Sequence, residues 1–339
     1  MFKVKQLGVA AAIALFATAA MASNFRAADQ VYVPAAGHVV GGSATFVSDL
    51  YISNLSDDSV DVSVIYSATT NGTQTPFPKV LTLAPRERRE LLDFMLNTLH
   101  LSSAFGQLIF NGCKATADCT PDPTTGLNIN YRNISVESRI YSFANGANQA
   151  TAPTNGQLFS GIPWYNFVSE SAAGAGLDKI FITGIRNTPQ YKTNVGFVNA
   201  SQFSTTTLTA KLYSGSNPSV VIAQNSFTLA PLGFLQAQVG SGTLFPGFTQ
   251  ATTSTNVFIT VEQGGTVPTS DAQANGCPTG CPAFFAYGSQ LDNATQDATT
   301  LEPQYQVPLT NNAITCIYSP DVAACKAGAT IHRAVKHQF

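Results

Sequence analysis

Charge is what this sequence has least of. Lys, Arg, Asp and Glu together make up 11% of the 339 residues, and the formal net charge is -2. So little charge of either sign leaves no basic footprint for nucleic acid or for an anionic membrane surface. Histidine is scarcer still. His38, His100, His332 and His337 are the whole set, and none stands in a G-x-S-x-G or H-E-x-x-H setting. The sole tryptophan is Trp164, and Met, Lys and Glu, all good helix formers, are thin. Long apolar runs are missing after the N-terminal segment, which excludes a helical membrane span from the rest of the chain. No cofactor motif and no metal-ligand spacing is found, so neither a cofactor nor a metal is expected.

What is present is polarity without charge. Thr, Ser, Asn and Gln suit the wet face of a β-sheet, and Val, Ile, Phe and Tyr the buried face. The expected fold class is therefore all-β.

The N-terminus predicts export. Lys3 and Lys5 form a positive n-region, Leu7 to Ala20 an apolar h-region, and Ala20-Met21-Ala22 an A-x-A cleavage site. Residues 1–22 thus read as a signal peptide with a mature start at Ser23. The destination is the periplasm, the cell surface or the exterior. Six cysteines follow, in three sequence-local couples, and in an oxidising compartment these predict Cys113–Cys119, Cys277–Cys281 and Cys316–Cys325 bridges. His332 and His337 come after the last couple, but the spacing is not that of a zinc finger.

An internal repeat at an offset of about 145 residues organises the chain. Ser48-Asp49-Leu50-Tyr51-Ile52-Ser53-Asn54 matches Thr193-Asn194-Val195-Gly196-Phe197-Val198-Asn199. Val62 to Tyr66 matches Thr209 to Tyr213. Thr82-Leu83-Ala84-Pro85 is identical to Thr228-Leu229-Ala230-Pro231, and Tyr141 falls on Tyr287. Val60 to Tyr66 alternates as a half-buried strand, Asn71-Gly72 signals a tight turn, and Val80 to Leu83 follows as the next strand. Gln107–Phe110 with Ile134–Phe143, and Val257–Val261 with Ala283–Leu291, read as matching hairpins. Lys179 to Ile185 reads as an extra strand in an insertion, and Asp93 as the cap of a helix over Phe94 to Leu99. Asn145 to Gly161 reads as a linker. The prediction is two tandem immunoglobulin-like β-sandwiches, residues 31–150 and 160–303, with a tail at 304–339.

Candidate chemistry is sparse. His38 sits in a Gly-rich segment without a motif. Glu87, Glu90, Asp93, Glu137, Glu170 and Glu262 are isolated carboxylates, where a glycosidase needs a pair. Asp57, Asp58 and Asp61, and Asp292, Asn293, Thr295 and Asp297, are oxygen-rich, but neither group has the order of a calcium loop, and turns explain them better. Trp164 and Tyr165 are the candidate ligand-binding aromatics, since rings stack on sugars. Asn54-Leu55-Ser56 and Asn199-Ala200-Ser201 have the sequon pattern but read as turns.

These landmarks resemble a loosely defined group of exported bacterial proteins. Its repeats carry R-T-N-x-G-x-x-N, an L-P/A-P turn, and F-F-A-Y-A-S-x-x-D-N-x-T-x-D. The counterparts are Lys192 to Asn199, with Lys192 in place of Arg, then Leu229-Ala230-Pro231, and Phe284 to Asp297. The resemblance covers about residues 31–303; it implies the repeated β fold and no activity. The functional expectation is a non-catalytic exported protein that binds an envelope protein or a polysaccharide. The alternatives are a carbohydrate-binding module and, behind it, a secreted hydrolase.

Overall fold

The computed structural model describes residues 27–119, 129–163, 168–169, 179–201, 205–249, 254–264, 283–295 and 297–305. The predicted signal peptide, Trp164, Tyr165, the two later cysteine couples and the chain after 305 lie outside the described residues.

Alternating apolar and uncharged polar residues produce an almost all-β fold. The first half contains β1 (Gln30–Val40), β2 (Ala44–Asn54), β3 (Val60–Ser67), β4 (Gln74–Leu83), β5 (Arg88–Leu91), α1 (Phe94–Asn97), β6 (Ala104–Lys114), β7 (Ile134–Ala144), β8 (Asn155–Ser160) and β9 (Ile162–Pro163). Its strands follow one path, β4-β3-β6-β1-β2-β7-β8, with β5 on β2 and β9 on β1. The path turns at β1. Residues up to His38 pair with β6, and only Val39 and Val40 pair with β2.

The second half contains β10 (Val168–Ser169), β11 (Lys179–Asn187), β12 (Tyr191–Asn199), β13 (Thr206–Ser214), β14 (Val221–Leu229), β15 (Phe234–Gln238), β16 (Ser254–Gly264), β17 (Ala283–Asp292), β18 (Ala298–Leu301) and β19 (Gln304–Tyr305). These make two sheets, β10-β17-β12-β15 with β18 on β17, and β14-β13-β16-β11-β19.

The order β5-β2-β7-β8 in the first half reads β15-β12-β17-β18 in the second, and β4-β3-β6-β1-β9 reads β14-β13-β16-β11-β19. One irregularity coincides as well. β1 shifts register against β6 between Val33 and Ala36, and β11 shifts against β16 between Ile182 and Ile185. The repeated Asn does the same work in both places. Asn54 Nδ2 donates to the carbonyls of Asp58 and Ala84 while its Oδ1 accepts from the Ser56 amide. Asn199 Nδ2 donates to the carbonyls of Leu229 and Ala230 while its Oδ1 accepts from the Ser201 amide. Both side chains are buried, so their burial and bonding account for them as turn locks. After the repeated Thr-Leu-Ala-Pro, Arg86 (φ 60°) and Leu232 (φ 54°) both enter the left-handed region.

Several local expectations are corrected. β6 and β7 are not one hairpin: β6 lies between β3 and β1, and β7 between β2 and β8. The same holds for β16 and β17, which lie in separate sheets. Each pair reads as a hairpin only because its strands are neighbours in sequence. The presumed extra strand is β11, which holds the place of β1. The presumed linker carries β8, whose Phe159 is buried. Tyr141 is not the ladder partner of Tyr287. Counted from the repeated Asn, which faces Ile134 in one half and Phe284 in the other, Tyr287 stands where Glu137 does. Asp93 holds the N-cap position of α1, but it takes φ 43° and makes no side-chain cap bond, because its carboxylate goes to His38. The Cys113–Cys119 bridge is formed, with Cα atoms 6.0 Å apart.

Two cores result. One gathers Val31, Leu50, Val64, Leu83, Phe94 and Phe110 of the first half. The other gathers Ile182, Phe197, Leu212 and Ile259 of the second half, together with Tyr32, Ile109, Ile140 and Phe159 of the first. The halves are also stitched by polar bonds. Ser67 Oγ and Gln107 Nε2 both donate to the Leu232 carbonyl, at 2.7 and 2.6 Å. The Asn71-Gly72 turn lies against Pro231. Gly72 has φ +67°, and a Cβ there would lie 1.9 Å from the Pro231 oxygen, so only glycine fits.

Candidate functional site

The face of β12, β15 and β17 that meets the first half is built around a missing side chain. Gly196 pairs with Tyr287 on one side and Gln236 on the other. A Cβ at Gly196 would come within 2.1 Å of the Tyr287 ring, so the bare backbone lets that ring lie across the strand. Tyr287 then donates its hydroxyl to Gln236 Oε1 at 2.8 Å and meets Phe159 edge-on, with centroids 5.2 Å apart. Burial pushes the Tyr287 hydroxyl pKa up. Beside it, Gln157 on β8 and Ser289 on β17 bond reciprocally, at 2.8 and 3.1 Å. Phe105 contacts Phe234 at 6.0 Å between centroids.

Between these contacts the halves do not close. A cavity of about 320 Å³ is left, lined from the first half by Phe46, Phe105, Ser142, Asn155, Gln157 and Phe159, and from the second by Lys192, Asn194, Gln236, Ser289 and Leu291. Phe46 is 36% exposed, so ring surface remains available there. The wall is therefore aromatic with a few convergent amides and hydroxyls, the composition of a small-molecule site.

A second cluster lies on the first half. His38 Nδ1 is 2.9 Å from Asp93 Oδ2. The Asp93 amide and the Tyr141 hydroxyl both donate to Asp49 Oδ1, at 2.9 and 3.1 Å. Gln149 Nε2 donates to the Tyr141 oxygen at 2.7 Å. Arg139 lies 4.3 Å from the Tyr141 ring centroid and 4.0 Å from Asp49 Oδ2. Burial raises the Asp49 carboxyl pKa, against lowering by the Asp93 amide, the Tyr141 hydroxyl and Arg139. Burial also pushes Tyr141 up to about 12. The chain of bonds holds Asp93 in its left-handed conformation and ties β1, β2 and β7 together. Among the described residues no Ser or Cys side chain is hydrogen-bonded to His38.

Most of the remaining candidates resolve into ion pairs and turns, and Glu170 lies outside the described residues. Asp57 pairs with Arg86, Asp58 with Lys114 and Arg132, and Asp61 with Lys79. Lys114 and Arg132 hold the Asp58 carboxyl below its ordinary range. Asp292 Oδ1 accepts the amides of Ala294 and Thr295, a side-chain-closed turn. Glu137 and Arg139 share a face but pair with Arg88 and Asp49 respectively, rather than with each other. Glu87 pairs with Arg89, and Glu262 with Lys179 and Lys211. Among the described residues no group of three or more His, Cys, Asp or Glu is arranged to hold a metal ion, and no helix is long and apolar enough to cross a membrane.

Trp164 and Tyr165, the sequence candidates for ligand contact, fall outside the described residues. Sequence reasoning missed Phe46, Phe105, Gln157 and Gln236. No local pattern marks them, since the cleft exists only where two distant faces meet. Lys192 and Gly196 were visible as motif positions, without their role.

No family model matches this chain, and no curated protein matches it. Among solved structures, PNGase F, a glycosylasparaginase from Flavobacterium meningosepticum, aligns over 82% of this chain and 100% of its own, at 10% identity and a TM-score of 0.23. A calcium-binding mutant of Bacteroides uniformis β-glucuronidase 2 aligns over 80% of this chain and 27% of its own, at 10% identity and a TM-score of 0.14. This chain thus spans about a quarter of the glucuronidase. Likenesses at these TM-scores do not establish a shared fold.

Proposed function

We propose that the chain is an exported, non-catalytic binding protein made of two tandem immunoglobulin-like β-sandwiches, and that the cleft between them takes a saccharide. The strand-for-strand correspondence of the halves, with one register shift shared by β1 and β11, supports the tandem reading, with units at 28–163 and 168–305. The signal-like N-terminus and the Cys113–Cys119 bridge support export.

The observation that carries the saccharide reading is the lining of the cleft. A pyranose presents an apolar face and a rim of hydroxyls. Phe46 and Phe105 offer ring surface, while Asn155, Asn194, Gln236 and Ser142 offer amide and hydroxyl groups around it. Among the described residues no carboxylate lines the cleft, which supports binding over glycoside hydrolysis, since hydrolysis draws on a carboxyl pair. Calorimetric titration of the mature chain with a panel of oligosaccharides tests this. Binding that weakens several-fold in Phe46→Ala and in Asn194→Ala, both folded by melting, supports it. Binding indifferent to both substitutions would move the site elsewhere.

A further inference from the structure

Five lysines fall among the described residues, and four of them sit against a carboxylate. Lys79 pairs with Asp61, Lys114 with Asp58, and Lys179 and Lys211 with Glu262. Lys192 is the exception. Among the described residues it makes no ion pair, and of those that line the cleft it is the one formally charged side chain.

Its neighbours reinforce its sign. Lys192 and Asn194 lie on one face of β12, about 7 Å apart along the strand. The Asn194 side chain makes no hydrogen bond among the described residues and lines the same cleft. Gln236 has its Oε1 occupied by the Tyr287 hydroxyl, which leaves its Nε2 hydrogens to the cavity. The second-half wall therefore offers an ammonium and two amide NH2 groups, with no carboxylate among its described residues to compete for them. A cation left unpaired in a partly closed cleft is a vacancy of negative charge. A neutral sugar would satisfy the amides and leave the ammonium to water.

We propose that the ligand is an acidic saccharide of the uronic-acid type, whose carboxylate pairs with Lys192 and accepts from the amides of Asn194 and Gln236. This rests on the saccharide reading of the cleft and narrows it to one chemical class. Phe46 and Phe105 would carry the apolar face of the same or an adjoining sugar unit.

The test is calorimetric titration of the mature chain with oligogalacturonate, oligoalginate and oligohyaluronate, each beside its carboxyl-reduced form. The expected result is that at least one acidic oligomer binds about tenfold tighter than its reduced form, the effect of one charge-assisted contact. Lys192→Met should remove that advantage, so that the acidic oligomer and its reduced form bind alike. Raising salt should weaken only the acidic ligand, and this arm stands on the unmodified protein should the variant fail to fold. Equal binding of acidic and reduced forms, unmoved by Lys192→Met or by salt, overturns the acidic assignment and leaves a saccharide site. Binding of neither form by the folded protein overturns both.

Discussion

Asp49 on β2 faces Arg139 on β7, and at the matching place in the second half Asn194 on β12 faces Ser289 on β17. Along the same two faces Glu90 is matched by Gln236, Arg88 by Phe234, and Glu137 by Tyr287. One scaffold thus carries two opposite surfaces. The first-half face keeps its charges, with Arg88 62% exposed and paired to Glu137. The second-half face is covered by the first half and has given up every one of them. Desolvation explains the direction, because a charge taken out of water without a partner costs several kcal/mol, on the order of what a domain has to spare. Lys192 reverses the trend. It stands where Val47 does in the first half, and among these matched positions it alone adds a charge, in the lining of the cleft.

Exchanging residues between the faces should break this asymmetry in a graded way. The largest effect is expected from Gly196→Val, which drives a side chain into the Tyr287 ring. Overpacking of this kind costs about 3 kcal/mol or more, and the thermal midpoint should fall with it. Ser289→Arg, the residue at the matching first-half position, should come next. It displaces the Gln157 contact and buries an unpaired guanidinium, a loss of roughly 2–3 kcal/mol in denaturant unfolding. The reverse exchange, Arg139→Ser, should cost about 1 kcal/mol or less, since Arg139 is partly exposed. Equal costs for the two exchanges would break the comparison.

Reduction of Cys113–Cys119 should lower stability by about 2 kcal/mol on the loop-entropy estimate, without unfolding either half. A reductant melt that removes both transitions would make the bridge a core element instead. Asp49→Asn should have the smallest effect. The Asp49 carboxyl is raised chiefly by burial. Its proton is therefore held more tightly in the folded chain, and its contribution is fully present below the unfolded pKa and lost as pH rises through the folded one. The Asn variant keeps an oxygen for the Asp93 amide and the Tyr141 hydroxyl. It should be at least as stable as the parent at neutral pH, and the gap should close as pH falls through the carboxylate range. Denaturant midpoints at neutral and acid pH measure this.

The sequence disclosed the β class, the matching Asn54 and Asn199 turns and the Cys113–Cys119 loop, because alternation, capping chemistry and loop closure are local. It misled about β6 with β7 and about β16 with β17. Neighbouring strands in sequence look like hairpins, and only the ladders show that β6 pairs with β3 and β1 while β7 pairs with β2 and β8. Tyr141 and Tyr287 matched by letter and not by ladder, since extra residues between β15 and β16 change the offset of the halves without leaving a mark in alternation. The cleft was illegible for a further reason. Phe46 and Lys192 are far apart in sequence, and they come together only through the way one half's sheet seats on the other.

The central claim is that the ligand enters this cleft and not the charged face of the first half. Hydrogen–deuterium exchange with and without a bound acidic oligosaccharide tests it most directly. The account predicts slowed exchange in β8, β12 and β15, the strands that carry Gln157, Lys192 and Gln236, with β5 unchanged. Protection confined to β2, β5 and β7 around Tyr51, Arg88 and Glu90 would contradict it.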